Sequence, residues 1–309
     1  MIEYTILEED AGSELFDLLE KNYPEFDDRD IAAAFAARDI LLNGEEAFGD
    51  DAVNEGDLLE LFVPNDVVGI DLTPSIIYQD ENFVIVDKPA GLESFSDFDD
   101  DVTALTMVED IMKQQGEYSV DALMVPYLVY PIEQHASGLL VLAKHESGYL
   151  FMTEALSQRR IARRYVCPVK GSTEAEEEML AYHKRDKAGK RVRISDNHIK
   201  DAKPIVTRIN KLAEGETMSL LNVRPVTNLL HQVRAHLAHE GLPVLGDGVY
   251  GDKRFNRNAG ADQICLWLHE LCFETGTGHE YAYLNGKTFD SATFSFPRSV
   301  YDEGLLGGE

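Results

Sequence analysis

The most informative stretch of the chain is IEQHASGLLVLAK, residues 132–144. Its apolar run at residues 139–142 predicts a buried strand, because short apolar runs of this kind are typical of strands covered on both faces. Glu133 lies in the more polar half of the stretch, a few residues before that run. The stretch therefore places a carboxylate on the segment that leads into a core strand.

Strand and helix patterns alternate on both sides of this stretch. Upstream, residues 82–86 predict a buried strand that ends at the turn Lys88-Pro89-Ala90-Gly91. Downstream, strands are predicted at residues 165–169, 205–209 and 218–223, and helices are predicted at residues 103–115, 148–158 and 231–239. This order predicts an α+β domain with a large mixed sheet over residues 76–300.

A smaller domain is predicted at residues 1–66. Two helical patterns, at residues 15–19 and 31–35, are followed by a strand that enters the turn Asn43-Gly44. Gly56-Asp57 marks a second turn before the apolar run at residues 58–63. Two helices and a hairpin of this length predict a compact α/β module ahead of the larger domain.

Charge is distributed very unevenly along the 309 residues. The chain has 56 acidic and 28 basic residues, a net charge of -28, yet residues 151–260 hold 20 bases and 13 acids. Clustered cations in an otherwise repelling molecule are typical of a groove for a polyanion such as RNA. The alternative is a solvated basic face that balances acidic residues elsewhere in the fold.

The start of the chain and its cysteines predict where the protein works. The first residues, MIEYTILEED, lack a basic start and an apolar segment, and no run of about 18 apolar residues follows. The three cysteines form no C-x-x-C pair, which favours reduced thiols over a disulfide framework or a zinc knuckle. We therefore expect a cytoplasmic protein without a membrane partner.

Four segments of the larger domain, in order, resemble the motifs of the RluA-type RNA pseudouridine synthases. They are residues 80–92, 132–144, 163–165 and 225–237, and GLPVLGDGVYG at residues 241–251 continues the last one. The resemblance implies a pseudouridine synthase fold, with an active cleft across a mixed, mostly antiparallel sheet. It also implies isomerisation of uridine in structured tRNA or rRNA, without DNA as a partner and without a metal or organic cofactor.

The resemblance also implies which side chains act. In this family a carboxylate is the nucleophile, an arginine orients it, and a tyrosine packs on the flipped base; the matching positions are Glu133, Arg234 and Tyr165. Further RNA-binding residues are expected in the basic half of the chain. They are Arg163, Arg164, Lys184, Arg185, Arg191, Arg193, His231 and Gln232.

Several positions depart from the family motifs. Glu133 stands where the family has Asp, and its extra methylene moves the attacking oxygens by about 1 Å, enough to cost about 100-fold in rate. Tyr130 and Pro131 replace a His-Arg pair, and Asn228 and Leu229 replace a Gly-Arg pair. Two interpretations stay open: a synthase with reduced activity, or a catalytically silent paralogue that binds RNA or protein as a scaffold.

The small domain resembles the S-four-like RNA-binding domain that often precedes these synthases. However, Glu14, Asp28 and Asp39 lie near positions where RNA-binding versions carry Arg or Lys. A face this acidic repels a phosphate backbone. The domain is therefore expected either to serve as a lid or stability element or to contact a basic protein.

The histidines at positions 231, 236 and 239, followed by Glu240, offer a rival interpretation as a metal-dependent hydrolase. On a helix, His236 and His239 share a face, but His231 lies about 140° away from His236. The order H-E-x-x-H is also missing. The motif resemblance already accounts for His231 and His236, so no metal site is predicted.

Overall fold

The chain divides into two compact units, Met1–Leu72 and Thr73–Glu309. A computed structural model describes residues 2–7, 10–23, 31–32, 34–35, 40–61, 72–96, 101–186, 191–261, 263–291 and 296–306. Asp28, Asp39, most of the predicted boundary between the two domains and residues 187–190 of the basic stretch lie outside these ranges. None of the described helices is long and apolar enough to cross a membrane.

The smaller unit contains a four-stranded antiparallel sheet in the order β1-β4-β2-β3, together with the helix α1. The described residues 31–32 and 34–35 are also helical, where the sequence predicts a second helix. These elements are β1 (Ile2–Thr5), α1 (Leu15–Asn22), β2 (Ile40–Leu42), β3 (Glu45–Glu46) and β4 (Leu58–Leu61). Asn43 and Gly44 have positive φ angles of 55° and 78°, so they form the tight turn that the sequence predicts between β2 and β3. Leu15, Leu18 and Leu19 of α1 are buried in a core with residues of β2 and β4.

The larger unit contains one sheet of eleven strands in its described part. The strands are β5 (Ser75–Gln79), β6 (Phe83–Lys88), β7 (Met124–Leu128), β8 (Ser137–His145), β9 (Ile161–Lys170), β10 (Glu176–Arg185), β11 (Val192–Ser195), β12 (Lys203–Glu214), β13 (Met218–Pro225), β14 (Trp267–Phe273) and β15 (Thr288–Asp290). The main order is β11-β10-β12-β13-β9-β14-β8-β6-β5, with β15 on β14 and β7 on β8. Only β8 and β14 pair in parallel, so the predicted mixed, mostly antiparallel sheet is confirmed for the described residues.

Four α-helices of the larger unit's described part lie between strands, and a fifth follows the last strand. They are α2 (Ala104–Gln115), α3 (Glu146–Ser157), α4 (Gln232–His239), α5 (Lys253–Asn258) and α6 (Arg298–Asp302). Local chemistry fixes the ends of α2, because Thr103 and Thr106 form a reciprocal capping box and Gly116 ends the helix at a φ of 73°. The helices predicted at residues 103–115, 148–158 and 231–239 correspond to α2, α3 and α4.

The parallel pair β8–β14 depends on one glycine. Gly138 has a φ of 115°, and a Cβ atom built on it would lie 2.2 Å from the carbonyl oxygen of Leu268 in β14. Only glycine combines this backbone angle with so close an approach. Because Gly138 follows the segment that carries Glu133, the contact also fixes where that segment meets the sheet.

We predict that Gly138→Ala destabilises the protein by about 3 kcal/mol, since the methyl group adds a backbone clash to an unfavourable φ. Gly171→Ala is the matched control, because Gly171 has a φ of 83° and a Cβ added there would meet no atom within 4 Å. We expect the control to cost about 1 kcal/mol from the backbone angle alone. Urea unfolding measures the free energy of unfolding of both variants. Equal losses of stability would show that the close approach of β14 to Gly138 adds nothing to the cost of the backbone angle.

Candidate active site

The segment that carries Glu133 is anchored from two sides. The Ser94 hydroxyl donates to the carbonyl of Ile132 over 2.7 Å and accepts from the amide of the same residue over 3.1 Å. Lys88 donates to the carbonyl of Gln134 over 2.9 Å. Glu133 therefore lies between two residues whose backbones are fixed by buried side chains.

Lys88 is fully buried at the end of β6. Its ammonium also donates to the carbonyls of Pro89 and Leu92 over 2.8 and 2.7 Å, so all three protons have acceptors. Burial lowers the pKa of Lys88 to about 7. The three carbonyl acceptors act in the opposite direction, because they stabilise the charged ammonium. Since its donors are all used within the protein, Lys88 holds the Glu133 segment in place and has none left for a ligand.

Arg234, in the first turn of α4, is held between two carboxylates. Its Nε and Nη2 atoms donate to Asp247 over 2.8 and 2.6 Å, and its Nη1 atom donates to Glu133. Asp247 is fully buried, Arg234 is nearly so, and the Glu133 side chain is 29% exposed. The planar guanidinium therefore has a fixed orientation on its Asp247 side and presents its remaining donor to Glu133.

Arg234 and Asp247 stabilise each other's charged form. Burial acts to lower the pKa of Arg234, but its bonds to Asp247 and the charge of Glu133 outweigh burial and raise it. Burial likewise acts to raise the pKa of Asp247, but the hydrogen bonds and charge of Arg234 hold it below its usual range. An oriented carboxylate beside a permanent cation has the chemistry required of a nucleophile.

Asp247 belongs to the segment GDGVYG and is not among the site residues predicted from the sequence. Its carboxylate also accepts from the amides of Val249 and Tyr250 over 2.8 and 3.0 Å. A Cβ on Gly246 would lie 1.8 Å from the carbonyl of Gln263, so this tight turn requires glycine. An acidic residue inside a glycine-rich turn was the available signal, but its partner Arg234 could not be read from the sequence.

A cavity of about 390 Å³, which we call the Glu133 cavity, opens beside this group. Tyr165 of β9 lies in its wall and is buried, and burial raises the pKa of its hydroxyl. The three residues predicted to act together thus meet at one place, with Glu133 and Tyr165 lining the cavity and Arg234 bonded to Glu133. The other lining residues include Tyr130, Pro131, Ile132, Ala136, Arg163, Arg185, residues 227–233 and Leu266.

His231 and Gln232, both predicted to bind RNA, have different surroundings. His231 lines the cavity in a left-handed conformation, with its Nδ1 atom 2.9 Å from the Tyr250 hydroxyl and its Nε2 atom 3.9 Å from Glu133. Gln232 donates to the carbonyl of Val206 over 2.9 Å, and its own side-chain oxygen accepts from the hydroxyl of Thr227 over 2.9 Å. Gln232 therefore shapes the wall of the cavity by fixing the loop before α4.

The predicted basic residues separate into groups. Arg163 and Arg185 line the Glu133 cavity, but Arg164 forms an ion pair with Glu270 and lines a different cavity. Lys184 donates to the carbonyl of Lys200 over 2.7 Å. Arg191 and Arg193 are exposed at β11. The structure thus brings only part of the predicted RNA-binding set to the cavity.

The three histidines of the rival metal interpretation point to different places. His231 lines the Glu133 cavity, whereas His236 is buried with its Nδ1 atom 3.0 Å from the hydroxyl of Thr207. His239 lies 2.7 Å from the carboxylate of Asp196 at the surface. Of the three, only His239, with Asp196 and Glu240, belongs to a group of ligand atoms close enough together to hold a metal ion among the described residues.

The larger unit matches a known protein family. The RNA pseudouridylate synthase family model matches residues 82–239, which include Glu133, Tyr165 and Arg234. The chain belongs to this family. The match covers the strands from β6 to β13 and ends with α4, so it includes most of the elements that surround the Glu133 cavity.

Two relatives and one solved structure illustrate the similarity. The chain is 26% identical to ribosomal large subunit pseudouridine synthase D of Xylella fastidiosa over 85% of its length and 79% of that protein. It is 27% identical to tRNA pseudouridine synthase C of Pectobacterium carotovorum over 63% of its length and 53% of that protein. Human RNA pseudouridylate synthase domain containing 4 shares the fold, with a TM-score of 0.57, 17% identity, and coverage of 74% of this chain and 92% of that one.

Two departures of this synthase from the family motifs contact the same residue. The Tyr130 ring lies 5.1 Å from the guanidinium of Arg163, and the Asn228 side-chain oxygen accepts from Arg163 over 2.7 Å. Tyr130 also donates its hydroxyl to the carbonyl of Leu139 over 3.0 Å, at the start of the core of β8. Two of the altered motif positions therefore contact Arg163 in the wall of the Glu133 cavity.

We predict that Asp247→Asn destabilises the synthase by about 3 kcal/mol, because it leaves the buried Arg234 with a neutral partner on its bidentate side. Asp252→Asn is the matched control, since Asp252 caps α5 and pairs with Lys170 near the surface. Asn is also a good capping residue, so we expect little change in the control. Urea unfolding provides the comparison, and a loss no larger than that of the control would contradict a stabilising role for Asp247.

We predict that His236 makes stability fall as the pH drops. Burial, followed by the charge of His239, lowers the pKa of His236 from 6.5 to about 4. Between these values the unfolded chain binds a proton that the folded protein does not, so the free energy of unfolding decreases by up to about 1.4 kcal/mol per pH unit. The measurement is the free energy of urea unfolding as a function of pH. In His236→Gln the contribution of His236 to the pH dependence should disappear, whereas the exposed-site variant His198→Gln should retain it. Identical pH dependence in the wild type and both variants would refute the assignment to His236.

Proposed function

We propose that this protein converts uridine to pseudouridine in a structured RNA, with Glu133 as the nucleophile. The observation that carries the proposal is the Glu133–Arg234–Asp247 group, which presents an oriented carboxylate to a cavity walled by Tyr165. Family membership supplies the reaction, and the geometry supplies the residues proposed to perform it.

The reaction requires little beyond what these residues offer. A carboxylate oxygen of Glu133 bonds to the C1′ carbon of the ribose as the bond between C1′ and the base nitrogen breaks. The detached base then rotates, and its carbon bonds to C1′ as the bond between C1′ and the Glu133 oxygen breaks, which returns the free carboxylate. The proton on that base carbon is lost and one is gained at the freed nitrogen, so the atoms balance without a redox step or a second substrate.

Each side chain has a part in this scheme. Arg234 orients Glu133 before attack, because its Nη1 atom donates to the Glu133 carboxylate. Tyr165 offers the face of its ring to the extruded base, and its raised pKa keeps its hydroxyl protonated at neutral pH.

The longer Glu133 side chain bears on whether the protein turns over. Its carboxylate contacts Arg234, and Arg234 is itself held by Asp247. The extra methylene therefore does not separate the carboxylate from its orienting cation. This contact supports an active synthase in preference to the silent scaffold.

The substrate is proposed from charge and from the names of relatives. Those names specify RNA of the large ribosomal subunit in one case and tRNA in the other. We propose tRNA or rRNA as the substrate, bound through the basic half of the chain, and the cytoplasm as the location. For the smaller unit, whose first 70 residues hold 20 acidic and 3 basic residues, we propose a basic protein partner.

We predict that deletion of the gene removes specific pseudouridines from total cellular RNA. Glu133→Ala should fail to restore them, because no carboxylate remains, with a loss of about 1,000-fold or more in rate. Glu133→Asp should restore them poorly, because the shorter side chain withdraws the carboxylate from Arg234 by about 1 Å, at a cost of about 100-fold. The measurement is a pseudouridine map of each strain.

Glu274→Ala is the control, since Glu274 is exposed and lies outside the Glu133 cavity. We expect it to restore every site. An unchanged map after gene deletion would overturn the proposed reaction, and full activity of Glu133→Ala would remove Glu133 from it. Full activity of Glu133→Asp would show that the enzyme does not depend on the longer side chain.

A further inference from the structure

A second cavity of about 410 Å³ lies beside the Glu133 cavity, and we call it the side cavity. Both cavities are lined by Arg163, Pro225, Thr227, Asn228 and Leu229. The side cavity continues away from Glu133, between the end of α3 and the adjoining ends of β12 and β13. A chain that enters the Glu133 cavity therefore has a contiguous space for its next unit.

The charge of the side cavity is unusual for this protein. Four cations line it, Arg159, Arg163, Lys203 and Arg224, and its wall contains no acidic residue among the described residues. In the part of the chain that the structure describes, none of these four side chains forms an ion pair with a carboxylate. In a chain with twice as many acids as bases, unpaired cations gathered around one cavity favour an anionic ligand.

Other cations on the same sheet behave differently. Arg208 of β12 lies 2.5 Å from the carboxylate of Glu178, and Lys211 of the same strand pairs with Glu214. Both are far enough along β12 from Lys203 to lie outside the lining of the side cavity. The cations of the side cavity therefore lack acidic partners, whereas cations further along β12 have them.

Arg163 occupies the wall between the two cavities. It is only 7% exposed, and it contacts the neutral Asn228 amide and the Tyr130 ring, neither of which cancels its charge. Removing a cation from water without an anion is costly. A phosphate oxygen at the remaining donors of the guanidinium would supply that charge.

We infer that the side cavity binds the backbone phosphate of the nucleotide next to the target uridine. This inference rests on the proposed function, because it assumes that uridine occupies the Glu133 cavity. The apolar part of the wall, which includes Leu156, Ile161 and Pro225, suits the ribose or base of the neighbouring nucleotide. The four cations supply the phosphate contacts.

The test is the salt dependence of RNA binding. The probe is a fluorescently labelled single-stranded oligouridylate, and the dissociation constant is measured over a series of salt concentrations. For single strands each lost phosphate contact lowers the slope of log Kd against log salt by about 0.7. Because the side cavity is inferred to bind one phosphate, the combined variant Arg159→Gln, Lys203→Gln and Arg224→Gln should lower the slope by about 0.7.

The matched control is Arg208→Gln combined with Lys211→Gln, which also removes positive charge but from cations that are already paired. We expect its slope to equal that of the wild type, and circular dichroism checks that every variant is folded. Equal slopes for the control and the side-cavity variant would overturn the inference, as would wild-type binding that does not depend on salt. The pseudouridine map remains the separate test of the reaction. If that map shows sites that require Glu133 while the salt measurement gives either of these results, only the role of the side cavity is rejected and the proposed reaction stands.

Discussion

Arg234 is the charge on which the site depends. Its guanidinium binds Asp247 through two nitrogens and Glu133 through the third, so one side chain links the GDGVYG turn, the start of α4 and the segment before β8. Each of these parts has its own support. Lys88 and Ser94 fix the Glu133 segment, and the tight turn at Gly246 fixes Asp247. The carboxylate that faces the cavity therefore owes its direction to residues distant from it in sequence.

The sheet is what brings these residues together. The parallel contact of β14 with β8 at Gly138 inserts β14 between β8 and β9, and so sets the spacing between the Glu133 segment and the strand that carries Tyr165. The hydrogen bonds of Gln232 then hold the loop before α4 against β12. The positions that resemble family motifs thus converge from both halves of a mixed sheet.

Much of this arrangement could be predicted, because buried strands and capped helices leave local patterns. Strands β6 and β8 are apolar runs, and α2 begins at a capping box. Strand β10 shows no such pattern at its start, because it opens with three exposed glutamates. Alternation along β9 could have indicated that Arg163 and Arg164 face opposite sides. The role of Asp247 could not be predicted, because its pairing with Arg234 exists only after the chain has folded.

The pairing of Arg234 with two carboxylates also bears on the charge balance of the proposed reaction. A covalent bond from Glu133 to the nucleoside would remove the full negative charge of its carboxylate, and a buried arginine with that single partner would be left uncompensated. Asp247 takes no part in the proposed attack, and it binds Arg234 through two nitrogens. In the proposed reaction Arg234 would therefore keep an anionic partner after Glu133 has reacted, and attack would not leave a buried cation without a counter-charge.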